Sequence, residues 1–163
     1  MSIWLGEDVA RHVERPPGVK INPNGVDLRV SEIWKIPDDG TVIVHGKTRK
    51  IHPPKEKVEP SENGFFHLPR GTYEIRVANR VTVPSTAAGF LFPRTTFNRL
   101  GVMKSETGVW DSGYSGYGTQ TVRVTVKELK VHRDEYWFQL VFMDTTGTVT
   151  KLYDGHWQGE KPV

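Results

Sequence analysis

Apolar and polar residues alternate with a period of two along much of this chain, which predicts a structure built mainly of β-strands. The alternation is unbroken over residues 72–77 and 121–126, and a run of β-branched residues lies within residues 41–45. Residues 136–143 carry apolar side chains at both odd and even positions. A strand with two apolar faces is typical of the centre of a covered sheet, so we expect this segment to be buried.

A one-residue slip in the alternation follows residues 121–126. The apolar positions break at Lys127 and Glu128 and resume with Leu129 and Val131. Because one extra residue moves every later side chain to the opposite face of a sheet, the slip predicts a β-bulge in this strand.

Helical patterns are sparse. The spacing of Leu5, Val9 and Val13 predicts one short N-terminal helix. A second short helix is predicted over residues 95–100, with Thr95 near its start and Gly101 as the left-handed residue that ends it.

Eleven prolines and sixteen glycines divide the rest of the chain into short segments. Residues 52–71 are rich in proline and charge and are predicted to form a long surface loop or ribbon. There is no internal repeat and no low-complexity linker. The pattern therefore predicts a single all-β domain over residues 1–163, a sandwich or barrel with one or two short helices.

The composition removes several classes of function. The absence of cysteine excludes disulfides, thiol nucleophiles and the cysteine-ligated zinc site of nucleoside deaminases. The six histidines show no metal-ligand spacing. No apolar run reaches the roughly 20 residues of a membrane helix, so we expect no membrane partner. The N-terminus lacks the basic start of a signal peptide, so we expect a cytoplasmic protein.

The charge balance favours a small anionic ligand. Lysine and arginine number 22 against 19 aspartates and glutamates, which gives a formal net charge of +3. The excess is spread along the chain, unlike the basic stripe of a nucleic-acid-binding protein, so no nucleic-acid partner is predicted.

Arg94, Thr95 and Thr96 form a candidate phosphate site. At the start of the predicted helix a guanidinium, two hydroxyls and free backbone N–H groups converge, and these groups suit phosphate oxygens. Arg99 adds a second guanidinium further along the same helix. The alternative is an ordinary helix N-cap with Arg94 in solvent.

Residues 108–116 are predicted to form a β-hairpin or tight loop whose glycines, starting with Gly108, let the backbone approach a flat ligand. Asp111 is the candidate general base for an attacking water molecule. Tyr114 is the candidate contact for a sugar ring. The alternative is a plain turn in which Asp111 bonds to its own backbone.

Two further candidates lie on predicted strands. Asp27 follows a turn signal at residues 24–25 and enters a strand. Gln139 lies inside the apolar strand, where a buried amide needs hydrogen-bond partners. A turn before a strand, and a structural hydrogen bond, are the respective alternatives.

The C-terminal segment, residues 153–160, interleaves glycines with Tyr153, Trp157 and Gln158. An aromatic ring of this kind is suited to stack on a base, and the glutamine is suited to reach a phosphate. The alternative is a disordered terminus.

Taken together and in their order along the chain, the five segments from Gly25 to Gly159 resemble the motifs of the dUTPase/dCTP deaminase family. Members usually read P-R-S-S-x-x-R-x-G and then G-x-x-D-x-G/D-Y-x-G, and this chain reads P-R-T-T-F-N-R-L-G and G-V-W-D-S-G-Y-S-G. Trp110 stands where a small aliphatic residue is usual. The nearest subgroup is the archaeal dUTPases of deaminase ancestry.

The resemblance implies a distorted β-barrel or jelly-roll of the dUTPase-like type. It also implies a homotrimer with active sites between subunits, and a mobile tail over residues 150–163 that closes over the site. The implied substrate is a deoxyuridine nucleotide. Mg²⁺ would bind the triphosphate with Asp27 ordering its water shell.

The resemblance further implies the roles of the remaining candidates. Asp111 would activate the water that attacks the α-phosphorus, and main-chain groups of residues 108–116 would read uracil. The residues implied to contact the nucleotide are Arg94, Thr95, Thr96, Arg99, Gly108, Tyr114, Gln139, Tyr153, Trp157 and Gln158.

Two reactions occur in such proteins: hydrolysis of dUTP to dUMP and pyrophosphate, and zinc-free deamination of dCTP. The deaminases carry a proton-shuttling glutamate about ten residues after the aspartate that matches Asp111, whereas residues 117–123 here contain no carboxylate. This absence favours dUTP hydrolysis. A dCTP deaminase, an enzyme with both activities, and a non-catalytic nucleotide-binding regulator stay open.

Overall fold

The computed structural model describes residues 2–39, 41–42, 55–104 and 108–163. Of the strand predicted over residues 41–45, residues 43–45 lie outside the described residues. Residues 41–42 themselves are not in a strand.

Ten strands and two helices form in the described part of the chain. In order they are α1 Gly6–Ala10, β1 Lys20–Asn22, β2 Gly25–Ile36, β3 Glu56–Lys57, β4 Phe65–Val77, β5 Val81–Thr82, β6 Ala87–Pro93, α2 Thr95–Arg99, β7 Val102–Lys104, β8 Ser115–Gly116, β9 Thr119–His132 and β10 Tyr136–Asp144.

Eight strands form one curled antiparallel sheet whose path is β6-β10-β2-β4-β9-β7, and β5 pairs separately with β8. The long strand β2 joins the two parts of the large sheet. Its first half pairs with β1 and β10, and its second half pairs with β3 and β4. The prediction of an all-β fold with one or two short helices is confirmed.

Strand β10 lies between β6 and β2, as the two-faced apolar pattern of residues 136–143 predicts. Trp137, Phe138, Leu140 and Phe142 are at most 1% exposed. The pairing of β10 with β6 is continuous from Phe138 to Asp144, so this strand is the rigid centre of that half of the sheet.

Strands β4 and β9 shift register where the sequence shows its slip. Pro69 pairs with Glu128 but Gly71 pairs with Val124, so β9 carries extra residues at this point and the predicted bulge is confirmed. A surface loop or ribbon is predicted over residues 52–71, of which residues 52–54 lie outside the described residues. The loop alternative is wrong at Glu56–Lys57, which form β3, and from Phe65 onward, where β4 begins. A proline is tolerated within this paired strand because it lies at the register shift, where the ladder is interrupted.

Both predicted helices form. Of the three residues whose spacing predicts the first helix, only Val9 lies within α1, since Leu5 is its N-cap residue and Val13 follows its end. Val9 and Val13 are buried, whereas Leu5 is 62% exposed. Helix α2 ends before Gly101, whose φ of +82° matches the predicted left-handed stop.

A continuous core of buried apolar side chains joins the sheets and α1. Phe97 of α2 stacks on Trp137 with ring centroids 4.5 Å apart, which fixes the short helix to β10. Neither helix in the described ranges has the length and apolar character needed to cross a membrane.

Candidate active site

A cavity of about 310 Å³ lies between the loop after residue 107, the start of β9 and the C-terminal tail. We call it the tail cavity. It brings together five of the residues predicted from the sequence, namely Gly108, Asp111, Tyr114, Tyr153 and Trp157. The other residues of its wall are Val109, Trp110, Gly118, Thr119, Gln120, Thr121 and Glu160. A volume of this order is typical of small-molecule sites.

One turn and one bridge shape the loop. The Tyr114 N–H donates to the Asp111 carbonyl over 3.0 Å, and Gly113 within this turn has φ +89°. Such a conformation favours glycine. On its other side Trp110 exchanges two hydrogen bonds of 2.9 Å with Gly89 of β6. Because β8 pairs with β5, the segment forms a tight loop and not a hairpin.

Trp110 forms part of the cavity wall and depends on a neighbouring glycine. The residue is 9% exposed, and a Cβ built on Gly118 would lie 2.4 Å from its Cζ2 atom. The glycine therefore provides the space for the large indole that replaces the small aliphatic residue usual at this position.

Asp111 is exposed and lies between the tail cavity and a second hollow that contains Lys151 and Asp154. Its carboxylate has no hydrogen-bond or ion-pair partner among the described residues. The backbone bond that would hold it in an Asx turn is likewise absent there. A carboxylate placed on a fixed turn and without a partner can accept a proton from water.

Tyr114 is buried in the opposite wall of the cavity and contacts the tail. Its ring lies edge-on to Tyr153 with centroids 5.8 Å apart, and its hydroxyl donates to Glu160 Oε2 over 3.4 Å. Burial raises the pKa of the Tyr114 phenol, and the nearby Glu160 charge raises it further. Tyr114 is therefore a neutral, fixed surface against which a ligand can pack.

Glu160 joins the tail to a buried arginine. Arg76 donates from Nη1 to Glu160 Oε1 over 3.0 Å and from Nε to Glu32 Oε2 over 2.9 Å. Arg76 and Glu32 are 8% and 5% exposed. Burial raises the pKa of the Glu160 carboxyl above its ordinary value, while Arg76 acts in the opposite direction. The sequence did not predict this network.

Main-chain bonds hold the rest of the tail on the loop. The Tyr153 N–H donates to the Ser112 carbonyl and the Gly159 N–H to the Ser115 carbonyl, each over 2.9 Å. The tail is thus docked on its own chain, and Trp157 lines the cavity while 46% exposed.

Gln158, for which a phosphate contact is predicted, forms hydrogen bonds with the loop backbone. Its Oε1 accepts from the Ser115 N–H over 2.8 Å, and its Nε2 donates to the Gly113 carbonyl over 2.9 Å. The phosphate contact stays a prediction.

A second group of predicted residues lies outside the tail cavity, and we call it the Arg94–Asp27 pair. Arg94 donates from Nε to Asp27 Oδ2 over 2.9 Å and from Nη1 to the Tyr136 carbonyl over 3.1 Å. Asn22 donates to Asp27 Oδ1 over 2.7 Å. Asp27 is 3% exposed, so it holds the arginine side chain in place.

The surroundings of Asp27 do not fit a metal's water shell, since the carboxylate is buried and Asn22 and Arg94 occupy both oxygens. In the described ranges no three His, Asp or Glu side chains gather into a possible metal site. The metal role of Asp27 stays a prediction.

The other predicted phosphate ligands lie near the pair. Thr95, Thr96 and Arg99 are exposed on α2. Gln139 lies opposite Asp27 in the β2–β10 ladder, and its Nε2 donates to the Asn24 carbonyl over 3.1 Å. The structural hydrogen bond considered for this amide is therefore present.

The sequence matches the dCTP deaminase-like family over residues 6–145, a range that contains all ten strands and both helices. The chain belongs to this family. The match covers Asp27, Arg94 and Asp111, and it ends before the tail.

Two archaeal proteins named "Probable deoxyuridine 5'-triphosphate nucleotidohydrolase" are similar to this chain. The protein of Halobacterium salinarum is 34% identical over 96% of this chain and 93% of its own length. The protein of Aeropyrum pernix is 36% identical over 86% of each chain.

Among solved structures, the 2'-deoxycytidine 5'-triphosphate deaminase from Agrobacterium tumefaciens superposes with a TM-score of 0.66 at 14% identity. The superposition covers 86% of this chain but only 46% of that protein. This likeness concerns the fold.

Proposed function

We propose that this chain hydrolyses dUTP to dUMP and pyrophosphate. The observation that carries the proposal is Asp111, whose carboxylate has no partner among the described residues and lies at the wall of the tail cavity. Relatives at 34% and 36% identity over most of the chain carry the name of this activity.

In the proposed reaction Asp111 accepts a proton from a water molecule while the water oxygen bonds to the α-phosphorus. The bond from this phosphorus to the oxygen that bridges to the β-phosphate breaks, and pyrophosphate leaves. When bound to the triphosphate, Mg²⁺ would neutralise charge that develops there. No step requires Asp27 to hold the metal.

The proposed phosphate contacts come from the Arg94–Asp27 pair and α2. Asp27 fixes the direction of the Arg94 guanidinium, which remains a quarter exposed on its side chain and can meet a phosphate oxygen. The exposed hydroxyls of Thr95 and Thr96 and the cation of Arg99 lie on the adjoining helix.

The proposed nucleoside contacts come from the tail cavity. Tyr114 offers a neutral ring for the deoxyribose, and Trp157 offers an indole face for the base. Because the docked tail covers the cavity, we expect the tail to open for the nucleotide and to close on it.

We infer that a second chain completes the proposed site. Asp27, Arg94 and Gln139 do not line the tail cavity, where Asp111 lies. Another copy of the chain would supply Arg94 to the triphosphate whose α-phosphorus is attacked with the help of Asp111. This separation supports the predicted homotrimer with active sites between subunits.

Deamination of dCTP is the second candidate, and Glu160 is the observation that favours it. This carboxyl lines the tail cavity and its pKa is raised by burial, so the tail supplies an acid that residues 117–123 lack. Its bonds to Arg76 and Tyr114 make it the weaker candidate.

Incubation of the purified protein with dUTP or dCTP, each with Mg²⁺, tests the proposal when the products are separated by chromatography. Hydrolysis predicts dUMP and pyrophosphate from dUTP, with dCTP unchanged. Formation of dUTP or dUMP from dCTP would assign deamination, and binding without turnover would assign a regulatory role.

A further inference from the structure

Buried polar atoms without partners are rare, and three occur among the described side chains: Asn79 Oδ1, Gln120 Oε1 and Trp137 Nε1. Gln120 differs from the other two because it lines the tail cavity. An unpaired acceptor in the wall of a ligand cavity can form a hydrogen bond with a donor group of the ligand.

The local structure fixes which end of the amide is available. Gln120 is 4% exposed at the start of β9, opposite Ile75 of β4. Its Nε2 donates to the Thr119 carbonyl over 2.7 Å. A rotated amide would place Oε1 against that carbonyl oxygen, which repels it, so the end of the amide that lacks a partner is the acceptor Oε1 and not the donor Nε2.

We infer that Gln120 determines base specificity by accepting a hydrogen bond from N3–H of uracil. This inference rests on the proposed binding of deoxyuridine nucleotide in the tail cavity. Uracil carries a hydrogen on N3, whereas neutral cytosine carries a lone pair there. Cytosine would leave the buried oxygen unpaired and facing a second acceptor, and buried groups that lose their partner discriminate strongly between ligands.

The inference adds one side chain to the recognition of uracil, which the family resemblance assigns to main-chain groups of residues 108–116. Gln120 would read the N3 position and not the substituent at C5. It therefore separates uracil from cytosine without separating uracil from thymine.

Calorimetric binding of dUTP and dCTP analogues with an α,β-imido bridge tests this role, because the imido bridge prevents hydrolysis. The variant is Gln120→Met, which keeps the length of the side chain and removes the acceptor. Val122→Ala is the matched control. It truncates a buried residue of the same strand that does not line the cavity.

We expect Gln120→Met to bind the dUTP analogue roughly 10- to 100-fold more weakly, with binding of the dCTP analogue unchanged or tighter. Val122→Ala should keep the wild-type preference while it lowers the melting temperature. An unchanged dUTP-to-dCTP preference in folded Gln120→Met would overturn the inference and leave the proposed function intact.

If Gln120→Met does not fold, the same question is tested with the wild-type protein and a ligand whose N3 position is altered. The 3-deaza analogue replaces N3–H by C–H, and the C4 carbonyl by a hydroxyl group, at almost constant size. The wild-type protein should bind it at least about tenfold more weakly than the dUTP analogue. Equal binding of the two would overturn the inference, and a wild-type protein that binds no uracil nucleotide would overturn the proposed function with it.

Discussion

The tail cavity and the Arg94–Asp27 pair are the two halves of the proposed site, and they differ in what encloses them. The tail cavity is covered by its own chain, with Trp157 and Glu160 in its wall. The pair is held by strand neighbours, and its residues do not line the tail cavity. This difference is the arrangement expected if subunits complete each other's sites in the proposed oligomer.

The two halves also differ in how firmly they are held. Arg94 and Asp27 are fixed by contacts from β2, β10 and Asn22, all within the folded sheet. The tail is held by a few main-chain bonds and by the side chains of Gln158 and Glu160. Few buried apolar contacts and exposed hydrogen bonds are typical of segments that open locally.

Asp111→Asn gives the largest expected effect and tests the cavity half. Loss of the general base should lower kcat by roughly 10²- to 10⁴-fold and leave binding of dUTP nearly unchanged, since the amide keeps the size of the side chain. Steady-state kinetics and calorimetry measure the two quantities. Asp38→Asn, at an exposed aspartate away from both halves, should behave as the wild type.

Arg94→Met tests the other half, and we expect a loss of about 10- to 100-fold in kcat/KM from the missing charge-assisted contact to phosphate. The deoxynucleoside lacks phosphates, so its binding should not change. Arg94→Lys should recover part of the loss. If kcat/KM for dUTP stays within twofold of wild type, the pair is not a phosphate site.

Gly118→Ala should disturb the cavity wall by a smaller amount. The new Cβ meets the Trp110 indole at 2.4 Å, and overpacking of this kind costs roughly 1–3 kcal/mol of unfolding free energy. Chemical denaturation measures this cost, and the added change Trp110→Leu should restore most of it. Gly147→Ala, where a Cβ meets nothing within 4 Å, is the control.

The smallest expected effect is a pH dependence of tail docking. The pKa of Glu160 is raised in the docked state, so docking is favoured below the ordinary glutamate value of 4.5 and weakens as pH rises through the raised value. Fluorine NMR of fluorotryptophan at position 157 reports the docked fraction. Glu160→Gln stays neutral and should abolish the pH dependence, and a dependence that survives would assign it to another group.

Much of the fold was predictable because local patterns determine it. The apolar side chains on both faces of residues 136–143 predicted the buried strand β10, and Gly101 predicted the end of α2. Residues 65–71 were predicted wrongly because Pro69 and the surrounding charges resemble a loop. Their strand is stabilised by pairing with β9 more than 50 residues later in the chain, which no local pattern contains.

The candidate site was also predictable only in part. The short spacing of Asp111 and Tyr114 predicts that they lie on one turn, and the family resemblance implies that Trp157 lies near them. The contacts of Glu160 with Arg76, of Asn22 with Asp27, and of Gln120 with the cavity arise from tertiary packing. Gly118 was a sequence signal for the packing of Trp110, since a glycine often marks a place where a large side chain approaches the backbone closely.

Mixing two impaired variants tests the account most directly. Asp111→Asn and Arg94→Met are unfolded together and refolded as a mixture, and dUTP hydrolysis is compared with that of each variant refolded alone. If the two residues act from different chains of a cyclic oligomer, about a quarter of the sites in an equal mixture carry both native residues, and activity returns accordingly. A mixture as inactive as its separate components would contradict the composite site.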